Sequence, residues 1–174
     1  MVIIKDYFLE PKEGSEFFYV RSREISHCPY CKGAFKVIGS RKRVLYQQDG
    51  TSVFLIIRRL RCISCLKISH ELPDRIIPYK RYETSVIAAV LTEAECAEQD
   101  CSPCENSTVF RWKLWFFLLR EYFENFIRNQ INQFQCKAII LLPLYPLKRQ
   151  HKKWLNTLIY HLVNENQWEQ TRYA

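Results

Sequence analysis

Glycine is scarce in this chain, with four residues in 174. No glycine-rich loop is available to cradle a nucleotide phosphate, and no Ser/His/Asp arrangement for nucleophilic catalysis stands out. No apolar run approaches the roughly 20 residues needed to cross a bilayer. The most apolar stretch, Ala138 to Leu147, is short and holds Pro143 and Pro146. The opening residues Met1-Val2-Ile3-Ile4-Lys5-Asp6 lack a basic lead, a long apolar segment and a small-residue cleavage site. The expectation is a soluble, cytoplasmic protein in a reducing compartment, with no membrane partner. Internal repeats and low-complexity tracts are also missing.

Cysteine is plentiful by contrast, at eight residues. In a reducing setting, short cysteine pairs read as metal ligands rather than disulfide partners. Cys28-Pro29-Tyr30-Cys31 and Cys62-Ile63-Ser64-Cys65 have the spacing of two zinc knuckles. A tetrahedral Zn²⁺ takes four soft ligands, so Cys28, Cys31, Cys62 and Cys65 are the predicted set. Four protein ligands leave no open position for substrate, which makes the site structural. His27 and His70 flank the knuckles as competing ligands or ordinary histidines. Cys96, Cys101, Cys104 and Cys136 admit two readings, a second metal site or thiols packed in a core.

Net charge is +8, and it is unevenly placed. Between Arg21 and Arg81, fourteen Lys/Arg stand against four Asp/Glu, a local excess of +10; the rest of the chain carries −2. Such a segment is either a solvated basic surface or a phosphate-facing one. Arg41, Lys42, Arg43, Arg58, Arg59 and Arg61 lie on the predicted hairpin, and Lys80 and Arg81 follow it.

The local pattern predicts a strand near Glu16–Val20, then two strands, Ala34 to Tyr46 and Thr51 to Arg61, turned by Gln47-Gln48-Asp49-Gly50. Asp-Gly is a strong hairpin signal, and this hairpin would return the second knuckle to the first. A third strand is predicted over Ile68–Pro73, followed by an extended connector. Helical periodicity then takes over from Glu83 to Ala97. Ser102-Pro103-Cys104-Glu105 has the form of a helix start, with the helix running to about Asn129, and a last amphipathic helix spans Lys148 to Trp168. The expected fold class is α+β, a small β-rich zinc ribbon followed by an all-helical, helix-turn-helix-like part. The segments would be 1–19 (N-terminal), 20–82 (ribbon and connector) and 83–174 (helical). In that arrangement Asn106, Ser107, Thr108 and Arg111 would face a DNA groove while Val109 and Trp112 turn inward. The competing reading is a helix hairpin that binds nothing or dimerises through its apolar surface.

Arg58-Arg59-Leu60-Arg61-Cys62-Ile63-Ser64-Cys65, His70-Glu71-Leu72-Pro73-Asp74 and Ile77-Pro78-Tyr79-Lys80-Arg81-Tyr82 together resemble the zinc-ribbon head of bacterial insertion-sequence transposases. Ser107-Thr108-Val109-Phe110-Arg111-Trp112 is similar to the opening of their recognition helix. The resemblance covers about residues 26–120. The whole chain also resembles a short stand-alone bacterial family known only as a domain of unknown function (family 6431). The resemblance implies site-specific DNA binding linked to mobile elements. It does not extend to transposition, which needs three spaced carboxylates and two metal ions on a larger core. This chain has four aspartates, Asp6, Asp49, Asp74 and Asp100, and about sixty aromatic-rich residues after Trp112.

The expected function is therefore non-enzymatic: zinc-dependent binding of double-stranded DNA, as a regulator or accessory factor of a mobile element, with no small-molecule substrate. The alternative is an adaptor whose aromatic helix (Trp115, Phe116, Phe117) docks a partner protein such as a recombinase, or forms a homodimer. RNA binding is a further alternative.

Overall fold

The computed structural model describes residues 1–92, 104–133 and 153–168. Six strands, β1 (Val2–Ile4), β2 (Tyr7–Pro11), β3 (Phe17–Ser22), β4 (Phe35–Tyr46), β5 (Ser52–Cys62) and β6 (Ile68–Pro73), make one half-barrel sheet. Three helices among the described residues, α1 (Thr84–Thr92), α2 (Asn106–Gln133) and α3 (Trp154–Asn164), accompany it.

The β4–β5 hairpin forms because its turn is locally satisfied. The Asp49 carboxylate accepts the Thr51 backbone N–H at 2.9 Å and the Thr51 hydroxyl at 2.6 Å, and Gly50 supplies a φ of +81°. These bonds also hold the Asp49 carboxyl below its usual range. β5 is the hub of the sheet. Along one edge it pairs antiparallel with β4. Along the other, its first half pairs parallel with β3 and its second half antiparallel with β6. β2 extends β3 and β1 extends β6, the latter in parallel. The outer strand β1 is then clamped by α3: the Asn164 side chain accepts from Ile3 N–H at 2.9 Å and donates to its carbonyl at 3.0 Å. An amide side chain thereby occupies the backbone groups that a bare sheet edge would expose.

The expected plan, a small ribbon followed by an all-helical helix-turn-helix-like part, is not the one that forms. The protein is α+β, but the sheet dominates and the helices share its core. Val86, Ile87 and Leu91 of α1 are buried in one cluster with Leu45, Leu55, Ile57 and Leu72 of the strands. Trp115, Phe123 and Ile127 of α2 and Leu155, Leu158 and Leu162 of α3 belong to the same cluster. The physical reason is one of surface. A long hairpin with an apolar face and helices with wide apolar faces each need covering, and here they cover one another. Trp112 packs on the connector through an edge-on contact with Tyr82, ring centres 5.1 Å apart.

The predicted strands over 16–20, 34–46, 51–61 and 68–73 correspond to β3 to β6 within a residue or two. β1 and β2 are additions. α2 begins at Asn106, where the Glu105 carbonyl accepts from Thr108 and Val109 N–H groups. The predicted start at Ser102-Pro103, the turn at 98–100 and the apolar stretch 138–147 lie outside the described residues.

Candidate metal centre and cationic face

The structure brings the four predicted ligands together. The sulfurs of Cys28, Cys31, Cys62 and Cys65 all lie within 4.8 Å of one another, with Cys28–Cys65 at 3.6 Å and Cys31–Cys62 at 3.4 Å. A disulfide would need about 2.05 Å, whereas four sulfurs at about 2.3 Å from one tetrahedral ion stand about 3.8 Å apart. The group can hold a metal ion, and its all-thiolate chemistry suits a soft or borderline one.

The two knuckles are built alike. After each second cysteine the chain enters the left-handed region, at Lys32 (φ 58°) and Leu66 (φ 61°). The N–H of each of these residues returns to the carbonyl of its first cysteine, Lys32 to Cys28 at 2.8 Å and Leu66 to Cys62 at 3.1 Å. One knuckle enters from the loop after β3, and the other closes the end of β5. Their close approach depends on Gly33, where a Cβ would lie 2.6 Å from the Ser64 hydroxyl oxygen and 3.2 Å from Cys62 Sγ. The Cys65 N–H donates to Cys62 Sγ at 3.5 Å, and this bond leads the effects that pull the Cys62 thiol down to about 6. Cys65 is pushed the other way, to about 12. The Lys67 amide favours its thiolate, but burial and the Cys62, Cys31 and Cys28 sulfurs outweigh that bond. A cation held among the sulfurs would allow all four to ionise. His27 bridges to Ala34 and His70 lies on β6, and neither belongs to the metal-competent group. Of the second cysteine cluster, Cys104 is half-buried against the core beside Tyr82; Cys96, Cys101 and Cys136 lie outside the described residues.

The predicted cations separate by strand face. Opposite residues of antiparallel strands share a face, so Arg41 (opposite Ile57), Arg43 (opposite Leu55) and Arg59 (opposite His70) stand together. Their charges, after burial, press the His70 pKa below its ordinary value. Lys42 and Arg58 point to the other face. The Lys42 ammonium lies 4.6 Å from the centre of the Phe17 ring. Arg58 makes a two-pronged ion pair with Glu71, at 2.6 and 2.8 Å, and Glu71 also accepts from the Ser26 hydroxyl at 3.0 Å. Arg61 is exposed near the second knuckle.

Arg81 joins the β4 cations to the helices. It lines a shallow recess with Arg41, Lys42 and Arg43, and also a larger groove of about 520 Å³ with Lys80, Thr108 and Arg111. Among the described residues, no carboxylate lines either concavity. Arg41, Arg43, Arg59, Arg81 and Arg111 form no ion pair among the described residues. Arg43 is held under particular pressure: its Nε is buried without a hydrogen-bond partner. Burial, then Arg41 and Arg81, lower its pKa, with Tyr79 opposing them. Asn106 and Ser107 are exposed at the start of α2, outside the residues lining the groove.

Sequence reasoning missed Gly33, although a glycine two residues beyond a Cys-x-x-Cys pair is a readable sign of a tight knuckle. It also missed Glu71, which has no signature of its own, and Tyr79, whose sign was the preceding proline.

Residues 28–112 match the family model described as Domain of unknown function (DUF6431), a span that opens on the first metal-competent cysteine and closes on Trp112 in α2. No curated protein and no solved structure matches the chain. The family description names no activity, ligand or partner.

Proposed function

We propose that this protein is a zinc-stapled, non-enzymatic DNA-binding module that holds phosphates on a cationic belt running from β4 across the connector to the first turns of α2. The observation that carries this reading is the set of arginines without an ion pair among the described residues, Arg41, Arg43, Arg59, Arg81 and Arg111, on a surface whose recesses are lined by no described carboxylate. Crowding like charges is unfavourable in the free protein, and a polyanion relieves it while releasing condensed counterions. The metal keeps β4 and β5 in register at the end where their cations begin. A role beside a mobile element, in the cytoplasm, is the setting that the transposase resemblance suggests.

The test is a salt titration of binding to a mixed-sequence duplex. Log affinity should fall linearly with log salt, and alanine at Arg41, Arg43 and Arg81 together should make the slope shallower by roughly 2 to 3. Arg120→Ala, which removes a cation already paired with Glu124 and outside the lining of both concavities, should leave the slope nearly unchanged. Absence of duplex binding at low salt would defeat the proposal. Zinc is checked separately by metal analysis: one equivalent per chain, lost in Cys62→Ser.

A second reading, contact with a partner protein through α2, draws support from the exposure of Phe110, Phe117 and Leu118. A salt-insensitive complex lost in Phe117→Ser would favour it.

A further inference from the structure

Ile77-Pro78-Tyr79-Lys80 forms a tight turn closed by Lys80 N–H donating to the Ile77 carbonyl at 3.0 Å. Proline at its second position and a φ of +67° at its third give it the signature of a type II turn. The third position of such a turn belongs by rights to glycine, because a Cβ there is strained. This chain places a tyrosine in it. Bulky residues at positive φ are uncommon: Lys32 and Leu66 adopt it to close the two knuckles, whereas Tyr79 adopts it in a turn that faces the groove.

Tyr79 is presented in this way. It is 53 % exposed, and among the described residues no ring or cation stacks on it. It lines the 520 Å³ groove together with Arg81 and Arg111, and lies near enough to Arg43 to act on that residue's charge. Leu114 and Leu118 furnish an apolar wall to the groove, each with substantial exposure. Trp112 and Trp115 also line it but are buried, and Tyr82, half-buried, is packed against the rings of Tyr46 and Trp112, so among the described residues Tyr79 is the aromatic with a face to offer. The volume falls within the roughly 300–1,000 Å³ of sites that hold small-molecule-sized groups.

We infer that Tyr79 is a stacking platform for an unpaired base, with Arg81 and Arg111 holding the flanking phosphates. This rests on the DNA-binding reading above and deepens it. A duplex conceals its base faces in its own stack and offers a protein phosphates and edges. An exposed aromatic beside guanidinium groups in an apolar-walled groove complements a base face together with a phosphate, a pair of features found together on single-stranded or locally opened DNA. Non-specific phosphate binding needs only the arginines and gives no reason for a tyrosine at a glycine position.

The experiment compares three labelled ligands by fluorescence anisotropy with the full zinc-loaded chain. They are a single-stranded oligodeoxynucleotide of about 16 nucleotides, the upper end of what one small module covers, the same strand with abasic sugars throughout, and its duplex. The base-bearing strand should bind about 10-fold tighter than the abasic one, the scale of one stacked base. Tyr79→Gly should erase that difference while leaving abasic and duplex binding within twofold, and its Tm should equal or exceed the parent's because the turn strain is removed. Tyr79→Trp should preserve the preference. Equal binding of base-bearing and abasic strands by the parent protein, or a preference that survives Tyr79→Gly, overturns the stacking role while leaving the phosphate belt standing. Failure to bind any of the three ligands overturns the belt and the stacking role together.

Discussion

The Cα of Gly33 points at Ser64: a methyl group there would stand 2.6 Å from the serine hydroxyl oxygen and 3.2 Å from its Cβ. The two knuckles therefore meet at a point where one side has no side chain at all. In Gly33→Ala the Ser64 hydroxyl must rotate away and Cys62 Sγ and Ser64 Cβ, both at 3.2 Å, must give by a few tenths of an ångström, so metal affinity should drop in a chelator competition. Ser64→Gly removes two of the three close atoms, so the double variant Gly33→Ala/Ser64→Gly should recover much of the loss. An alanine variant that competes as well as the parent would show that the knuckles are not in contact.

Arg58 has a different task from its neighbour Arg59. Its partner Glu71 is 1 % exposed, and two charge-assisted bonds plus the Ser26 hydroxyl hold that carboxylate in place. Removing one member of a buried pair strands the other, at a cost of about 3 kcal/mol. Arg58→Ala should therefore lower unfolding free energy in urea by about that amount. Arg59→Ala, which removes a half-buried cation with no ion pair among the described residues, should cost less than about 1 kcal/mol. Comparable losses in the two variants would contradict the division of roles.

Much of the site was readable from the chain because its signals are local. Cys-x-x-Cys spacing and an Asp-Gly turn act over a few residues, so the knuckles and the β4–β5 hairpin follow from neighbours in sequence. The partners of the apolar faces are not local. Nothing in Val2-Ile3-Ile4 announces that it will lie parallel to β6, and three residues carry no usable periodicity. The apolar girdle of α2 similarly called for a cover without naming one. Trp115, Phe123 and Ile127 found it in α3 and the sheet, which is why a separate helical unit did not form. Charge was legible as a sum but not as a face, since alternation along a strand sends Arg41 and Lys42 to opposite sides.

His70 gives the cationic face a pH dependence whose sign is fixed. Burial, then Arg41, Arg43, Arg59 and the N-terminal amino group, lower its pKa from 6.5, so the folded protein binds fewer protons than the unfolded chain just below that value. Stability should rise with pH through the window between the lowered pKa and 6.5, then level off. His70→Gln should flatten that stretch of the profile in thermal melts. Bound phosphates reverse the local field and favour the imidazolium, so DNA affinity at fixed salt should increase as pH falls through the same window. Binding indifferent to pH would place His70 away from the phosphates.

Metal removal should loosen one end of the molecule rather than unfold it. Cys28 and Cys62 are fully buried, yet neither is part of the main apolar cluster, which the sheet and three helices build without them. Trp112, Trp115, Trp154 and Trp168 all belong to that cluster. Chelation under reducing conditions should therefore make the Cys28, Cys31, Cys62 and Cys65 thiols reactive toward a disulfide reagent together, while tryptophan emission stays near its native wavelength. DNA binding should weaken, because β4 and β5 lose their clamp at the knuckle end while Arg81 and Arg111 remain held by the helical side. A red shift of tryptophan emission concurrent with thiol exposure would mean that the core depends on the metal, making the knuckles a folding nucleus instead of a staple.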